Sequence, residues 1–124
     1  MGPTRTLRAV RLVLVDNDVA ALELIELDLS LEGHEIVGTA TSGADALEVV
    51  AATAPDVVVL DYRMPPGIDG LEVARRLRKR SPSIRMVLYS SHVKPELLDD
   101  AEALGVPYLR KGDLTALRRV ISSG

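Results

Sequence analysis

The chain has 124 residues, and its 18 acidic and 15 basic residues give a formal net charge of −3. Hydrophobic residues make up 47% of it and charged residues 27%, which is typical of a single globular domain and excludes a disordered chain. The absence of cysteine excludes disulfides, cysteine-zinc sites and thiol catalysis, and the mild negative charge argues against nucleic-acid binding by this segment alone.

No apolar run reaches the ~18 residues that a membrane span requires, and no stretch like a signal peptide precedes Asp16. We therefore expect one domain over residues 1–124, in the cytoplasm and without a membrane partner. Within it we expect a flexible N-terminus over residues 1–8 and a tail, or the start of a linker, over residues 122–124.

Stretches with strand-like and helix-like hydrophobic periodicity alternate along the whole chain. The predicted strands cover residues 10–15, 34–40, 57–60, 84–89 and 106–109. The predicted helices cover residues 18–31, 41–51, 71–80, 94–104 and 114–121. Gly33 and Gly105 act as helix stop signals, and Pro95 fits the first turn of the fourth helix.

This alternation predicts an α/β fold, with a doubly wound five-stranded parallel sheet and helices on both faces. The expected strand order is 2-1-3-4-5, because right-handed crossovers and five units fit that arrangement. In such sheets ligands bind at the carboxyl ends of the strands, where the order reverses. We therefore expect the functional site between the first and third strands.

Polar side chains follow the strands at that edge. Asp16 and Asn17 follow the first strand, Asp61 the third, Ser90 the fourth, and Lys111 the fifth. Taken alone, each residue is more typical of a polar loop or a helix cap than of a site. Together, carboxylates suit a hard cation such as Mg²⁺, while lysine and hydroxyl groups suit a phosphoryl group. The set predicts a phosphoryl-transfer site.

Four segments, VLVDND, VVVLDYRMPPGIDG, LYSSH and YLRKG, carry a family resemblance. In their order and spacing they resemble the receiver domain of bacterial two-component response regulators, which has a flavodoxin-like fold. The resemblance implies a signalling switch that takes a phosphoryl group from a sensor histidine kinase or a phosphotransfer protein. It implies no enzyme activity beyond self-phosphorylation from small phosphodonors and slow autodephosphorylation.

The resemblance also implies a metal site. Asp61 would be the phosphoacceptor, and it would hold Mg²⁺ together with Asp16 and the backbone carbonyl of Arg63. Asn17 stands where the family usually has an acidic residue, so its amide oxygen would ligate the ion without adding charge. We expect the neighbouring Asp18 to cap the first helix instead.

A switch pair is implied as well, with the Ser90 hydroxyl reading the phosphoryl group and the Tyr108 ring changing orientation with it. Lys111 would pair with the phosphoryl charge. Gly112 replaces a proline that is frequent in the family, and this glycine leaves the loop freer. The loop after the phosphoacceptor is one residue longer than usual, which leaves the placement of Asp69 open.

Two other interpretations stay open from the sequence. The chain could be an atypical receiver that binds partners without phosphorylation, because Asn17 weakens the metal site. Alternatively, LVLVDND resembles the first strand of haloacid-dehalogenase-type phosphatases, with Asp16 as nucleophile and Asp18 as general acid. The block around Asp61 would then have no role.

The fourth helix, fifth strand and fifth helix lie beside the switch pair that the resemblance implies, so we expect them to form the output surface, and charge segregates along them. The acidic residues are Glu96, Asp99, Asp100 and Glu102, and the basic residues are Arg110, Lys111, Arg118 and Arg119. Such a pattern is self-complementary in a two-fold homodimer. The chain is either a complete single-domain regulator or a receiver from a longer protein, and for such a protein the resemblance implies an output domain that regulates transcription.

Overall fold

The computed structural model describes residues 9–123, in which strands and helices alternate. The strands are β1 (Arg11–Val15), β2 (Glu35–Ala40), β3 (Val57–Leu60), β4 (Arg85–Ser90) and β5 (Tyr108–Arg110). The helices are α1 (Val19–Leu31), α2 (Gly43–Thr53), α3 (Gly70–Arg80), α4 (Pro95–Ala103) and α5 (Leu114–Ser122). None of these helices is long and apolar enough to cross a membrane.

Two predicted boundaries concern the chain ends. The segment 1–8 lies outside the described residues, and so does Gly124. Ser122, which the sequence placed in a tail, is the last residue of α5, so that part of the prediction is wrong. The helical hydrogen bonding extends past Ser122, because the Ser123 N–H still donates to the carbonyl of Arg119 at 3.0 Å.

The sheet is parallel, and its order β2-β1-β3-β4-β5 confirms the prediction. The register pairs Val15, the last residue of β1, with Leu60, the last residue of β3. The Asp61 N–H donates to the carbonyl of Val15 at 2.9 Å, which extends the ladder by one residue. The side chains that follow β1 and β3 therefore start level at the same edge of the sheet.

Aliphatic side chains fill both faces of the sheet. All four residues of β3 are buried, as predicted for a central strand. One layer packs under α2, α3 and α4, and it includes Val13, Val58, Leu60, Leu71, Leu77 and Leu88. The other packs under α1 and α5, and it includes Leu12, Val59, Leu22, Leu29, Leu117 and Ile121. Each such side chain contributes about 1.5–3 kcal/mol when fully buried, so the strands form a firm base for the polar edge.

Helix caps fix the loops at that edge. The Asp18 carboxylate accepts the N–H groups of Ala20 at 3.1 Å and Ala21 at 3.3 Å, which confirms it as the N-cap of α1. Asp69 accepts the N–H of Glu72 at 2.9 Å and is the N-cap of α3. The longer loop after Asp61 thus ends at the N-cap of α3.

The start of β5 differs from the prediction by two residues. Pro107 has no N–H to donate, and the N–H of Val106 is used by the carbonyl of Ala101 at the end of α4, at 2.9 Å. The residue pairing with β4 therefore begins at Tyr108, although the Pro107 carbonyl already accepts the Leu88 N–H at 2.9 Å. At its other end β5 extends one residue beyond the prediction, to Arg110, and Lys111 follows it directly.

Ala54 caps α2 in the left-handed region, with φ of 47°. That region costs a non-glycine residue roughly 1–2 kcal/mol. Glycine avoids this cost, but it gives up about 0.4–1 kcal/mol of folding free energy because the unfolded chain is more flexible at a glycine. We expect Ala54→Gly to raise the free energy of unfolding by about 0.5–1 kcal/mol, measured by urea denaturation. Ala52→Gly, at an exposed helical position, should instead lower it by about 1 kcal/mol. Equal losses in both variants would contradict the left-handed cap.

Candidate functional site

Two buried carboxylates and one lysine meet at the carboxyl edge of the sheet. Asp16 is 2% exposed and Asp61 is 6% exposed. The Lys111 Nζ lies 2.8 Å from Asp16 Oδ2 and 3.4 Å from Asp61 Oδ2. A single ammonium therefore bridges two carboxylates that follow different strands.

Backbone amides fix the second oxygen of each carboxylate. The Asp18 N–H donates to Asp16 Oδ1 at 2.8 Å, and the Tyr62 N–H donates to Asp61 Oδ1, also at 2.8 Å. Gly70 packs directly beneath, where an added Cβ would overlap the Asp61 carbonyl oxygen. Only glycine allows α3 to start this close to the site, a requirement that the sequence analysis missed.

The pKa values in the pocket follow from the crowding of two buried carboxylates around one lysine. Burial and the negative charge of Asp16 raise the pKa of Asp61, and they outweigh the opposing effects of Lys111 and the Ser90 hydroxyl. Burial alone would lower the pKa of Lys111, but the two carboxylates more than offset this and leave its pKa raised. Lys111 thus stays charged while the carboxylates repel each other, so the pocket favours a further cation.

Ser90 and Tyr108 meet at the backbone of His92. Ser90 is fully buried at the end of β4, and its Oγ accepts the His92 N–H at 3.2 Å. The Tyr108 hydroxyl donates to the His92 carbonyl. Burial raises the pKa of Tyr108, the Ser90 hydroxyl opposes this, and the charge of Asp61 adds to it, so the phenol stays a neutral donor. The structure therefore connects Ser90 and Tyr108 through the backbone of a single residue, His92.

The sequence model of the response regulator receiver domain matches residues 12–120. The chain belongs to this family. The transcriptional regulatory protein NarL of Mycobacterium tuberculosis is 42% identical over 93 residues, which are 74% of this chain and 43% of that protein. A protein-glutamate methylesterase/protein-glutamine glutaminase of Myxococcus xanthus is 45% identical over 83 residues, which are 66% of this chain and 24% of that protein. The receiver thus spans less than half the length of either relative.

A solved structure gives the same result. The signal receiver domain of the response regulator NarL from Mycobacterium tuberculosis superimposes with a TM-score of 0.84 at 35% identity. The match covers 94% of this chain and 99% of that one. The flavodoxin-like receiver fold is therefore confirmed.

The donor set of this receiver fits magnesium. Mg²⁺ in proteins is usually held by one or two carboxylates, with water and phosphate oxygens at its other positions, and Asp16 with Asp61 provides such a pair. Residues 9–123 contain no cluster of three or more histidine, cysteine or acidic residues that could hold a metal. Asn17 is exposed, and the described contacts link neither its amide nor the Arg63 carbonyl to the pocket. Their role as ligands stays a prediction.

The charge pattern predicted for the output surface needs a correction. Arg118 does not face outward from α5 as a free cation, because its guanidinium donates through two nitrogens to the Asp28 carboxylate of α1. Glu32 lies 3.9 Å away and adds a second acid. Lys111 is likewise held inside the pocket. Of the four basic residues, only Arg110 and Arg119 remain exposed at that surface.

We expect Asp61→Asn to stabilise the metal-free protein at neutral pH. Because the pKa of Asp61 is raised on folding, its ionised form opposes folding, and this penalty is absent below its ordinary pKa of 3.8. The variant should therefore unfold at a higher urea concentration than the parent at pH 7, and the difference should shrink as the pH falls toward 4. Urea curves at several pH values measure this. A variant less stable than the parent at pH 7 would mean that the pairing with Lys111 outweighs the crowding.

Proposed function

We propose that this receiver is a phosphoacceptor switch in which Asp61 takes a phosphoryl group from a phosphohistidine. The donor is a sensor histidine kinase or a phosphotransfer protein. The observation that carries the proposal is the Lys111 ammonium, 2.8 and 3.4 Å from two buried carboxylates at the carboxyl edge of the sheet. This arrangement holds the positive charge of Lys111 where a dianionic phosphoryl group must be received.

The transfer follows from the contacts around Asp61. A carboxylate is a weak nucleophile, so the charge on the phosphoryl oxygens must be neutralised before it attacks. Lys111 provides one positive charge, and the Tyr62 N–H holds the carboxylate in a fixed plane. A bond forms between an Asp61 oxygen and phosphorus, the phosphorus–nitrogen bond breaks, and its electron pair stays on the histidine nitrogen.

Magnesium would be held by Asp16 and Asp61, with the Arg63 carbonyl and the Asn17 amide as further ligands. When bound, it would supply a second positive charge to the phosphoryl oxygens. Asn17 contributes a neutral oxygen, so we expect weaker binding than an acidic residue at this position would give.

The Ser90 hydroxyl is suited to read the new phosphoryl group. Its oxygen already accepts the His92 N–H, so its proton is the part of the hydroxyl that can be donated to a phosphoryl oxygen. A shift of the Ser90–His92 segment would pull on Tyr108, whose hydroxyl is bound to the His92 carbonyl. Tyr108 lies in β5 beside α4, so the change would reach the surface there.

An exposed leucine stripe on α1, the helix that begins directly after Asp18, supports docking of the phosphodonor protein there. Leu24, Leu27 and Leu31 are 59%, 58% and 77% exposed, and they are spaced three and four residues apart on one face. α1 carries acidic side chains and no basic ones. This combination fits a partner helix with an aliphatic stripe and basic flanks.

We also propose a homodimer through α4, β5 and α5, which rests on fewer basic residues than the sequence indicated. Arg110 and Arg119 provide the basic side, and the acidic side is formed by Glu96, Asp99, Asp100 and Glu102. The contact would be self-complementary about a two-fold axis. Its readout is sedimentation of the chain with and without beryllofluoride.

The whole protein is proposed to act in the cytoplasm and to regulate transcription, which the name of its NarL relative supports. We propose no enzymatic role for the receiver beyond self-phosphorylation and slow autodephosphorylation. The phosphatase interpretation finds no support, because the Asp18 carboxylate caps α1 and so is not placed as a general acid.

Incubation with acetyl phosphate and Mg²⁺ tests the main proposal. We expect stoichiometric labelling of the parent, with the label mapped to Asp61, and no labelling of Asp61→Ala. Mass spectrometry of the intact chain and of its peptides measures both. A label on Asp16 would favour the phosphatase interpretation, and an unlabelled parent would favour the atypical receiver.

Substitution in the α1 stripe tests the docking face. We expect Leu27→Gln to slow transfer from any histidine kinase that phosphorylates the parent by about tenfold or more, because a central apolar contact is lost. Labelling by acetyl phosphate should not change, since this small donor needs no docked helix. Leu98→Gln, an exposed leucine on α4, is the matched control. Equal transfer to parent and Leu27→Gln would contradict docking on α1.

A further inference from the structure

Tyr89 lies in the apolar layer between the sheet and helices α1 and α5, yet it carries a hydroxyl. The residue is 3% exposed and packs in the cluster that includes Leu14 and Leu117. Its Oη accepts the N–H of Gly112 at 2.8 Å. The ring thus fills core space on one side of β4, while its oxygen reaches the loop that follows β5.

Gly112 is suited to this contact for two reasons. Its φ of +102° lies in the region that favours glycine. Its N–H is the group that a proline at this position would lack. A Cβ added to this residue would have no atom within 4 Å, so the backbone dihedral, and not space, favours glycine.

Two consecutive amides of this loop are held by two consecutive residues of β4. The Lys111 N–H donates to the Ser90 carbonyl at 2.9 Å, and the next amide donates to the Tyr89 hydroxyl. The first bond continues the sheet ladder, whereas the second uses a side chain after the ladder has ended. Without it, the Gly112 N–H would have no bond to β4.

We propose that Tyr89 is a positioning residue for Lys111, acting through the Gly112 amide. Lys111 must extend from the end of β5 to a point between Asp16 and Asp61, and the backbone at the loop sets where its side chain begins. The Tyr89 hydroxyl fixes that backbone. The expected effect of Tyr89 on the rate of phosphoryl transfer rests on the proposed function, in which Lys111 neutralises phosphoryl charge.

The test is a double-mutant cycle with Tyr89→Phe and Lys111→Ala. Phenylalanine keeps the ring in the core and removes only the hydroxyl. We expect Tyr89→Phe to slow labelling by acetyl phosphate and Mg²⁺ about three- to tenfold, the effect of losing one neutral hydrogen bond. In the Lys111→Ala background the same substitution should change the rate little, because the positioned group is gone.

A purely structural role gives a different result. It would lower the thermal midpoint and leave the labelling rate of the folded protein unchanged, or it would slow labelling equally in both backgrounds. Either outcome overturns the proposal.

Failure of the proposed function can be told apart, because the parent itself would then not be labelled. The NMR resonances of the Gly112 amide and the Lys111 Cε decide the positioning role in that case. If Tyr89→Phe leaves both resonances where they are in the parent, the proposal is overturned.

Discussion

One ammonium shared between two buried carboxylates is the interaction on which the site depends. Lys111 holds together Asp16 and Asp61, which repel each other and are withdrawn from water. A bare pair of ionised carboxylates would be unfavourable at this depth, and one lysine does not neutralise both. The folded chain therefore keeps a local excess of negative charge, which a bound metal ion or protonation of Asp61 relieves.

The rest of the fold supplies the geometry for this interaction. The parallel register aligns the ends of β1 and β3, and aliphatic layers on both faces make the strands hard to displace. Close packing at Gly70 and the amides that bind the carboxylates then fix the orientation of each side chain. Loops carry the chemistry, but their positions are set by the sheet.

Much of this was predictable from the sequence, because parallel strands gather their carboxyl ends at one edge. The local pattern of hydrophobic and polar residues predicts the strand order and the capping role of Asp18. It also predicts that Asp16, Asp61 and Lys111 meet at one edge. Other features depend on partners far along the chain. The bond between Arg118 and Asp28 joins residues 90 positions apart, so a charge pattern read along α5 alone gave the wrong partner. Tyr89 has the pattern of a strand core residue, and nothing local shows that its hydroxyl reaches Gly112.

The distribution of aromatic residues has a spectroscopic consequence. The chain contains three tyrosines and neither tryptophan nor phenylalanine. Tyr62 follows Asp61 directly, Tyr89 binds the loop of Lys111, and Tyr108 binds the backbone beside Ser90. The chain's near-ultraviolet absorption and intrinsic emission therefore come from three tyrosines that each adjoin or contact a segment carrying a pocket residue. The unlabelled, unmodified protein carries its own optical reporter of events in the pocket.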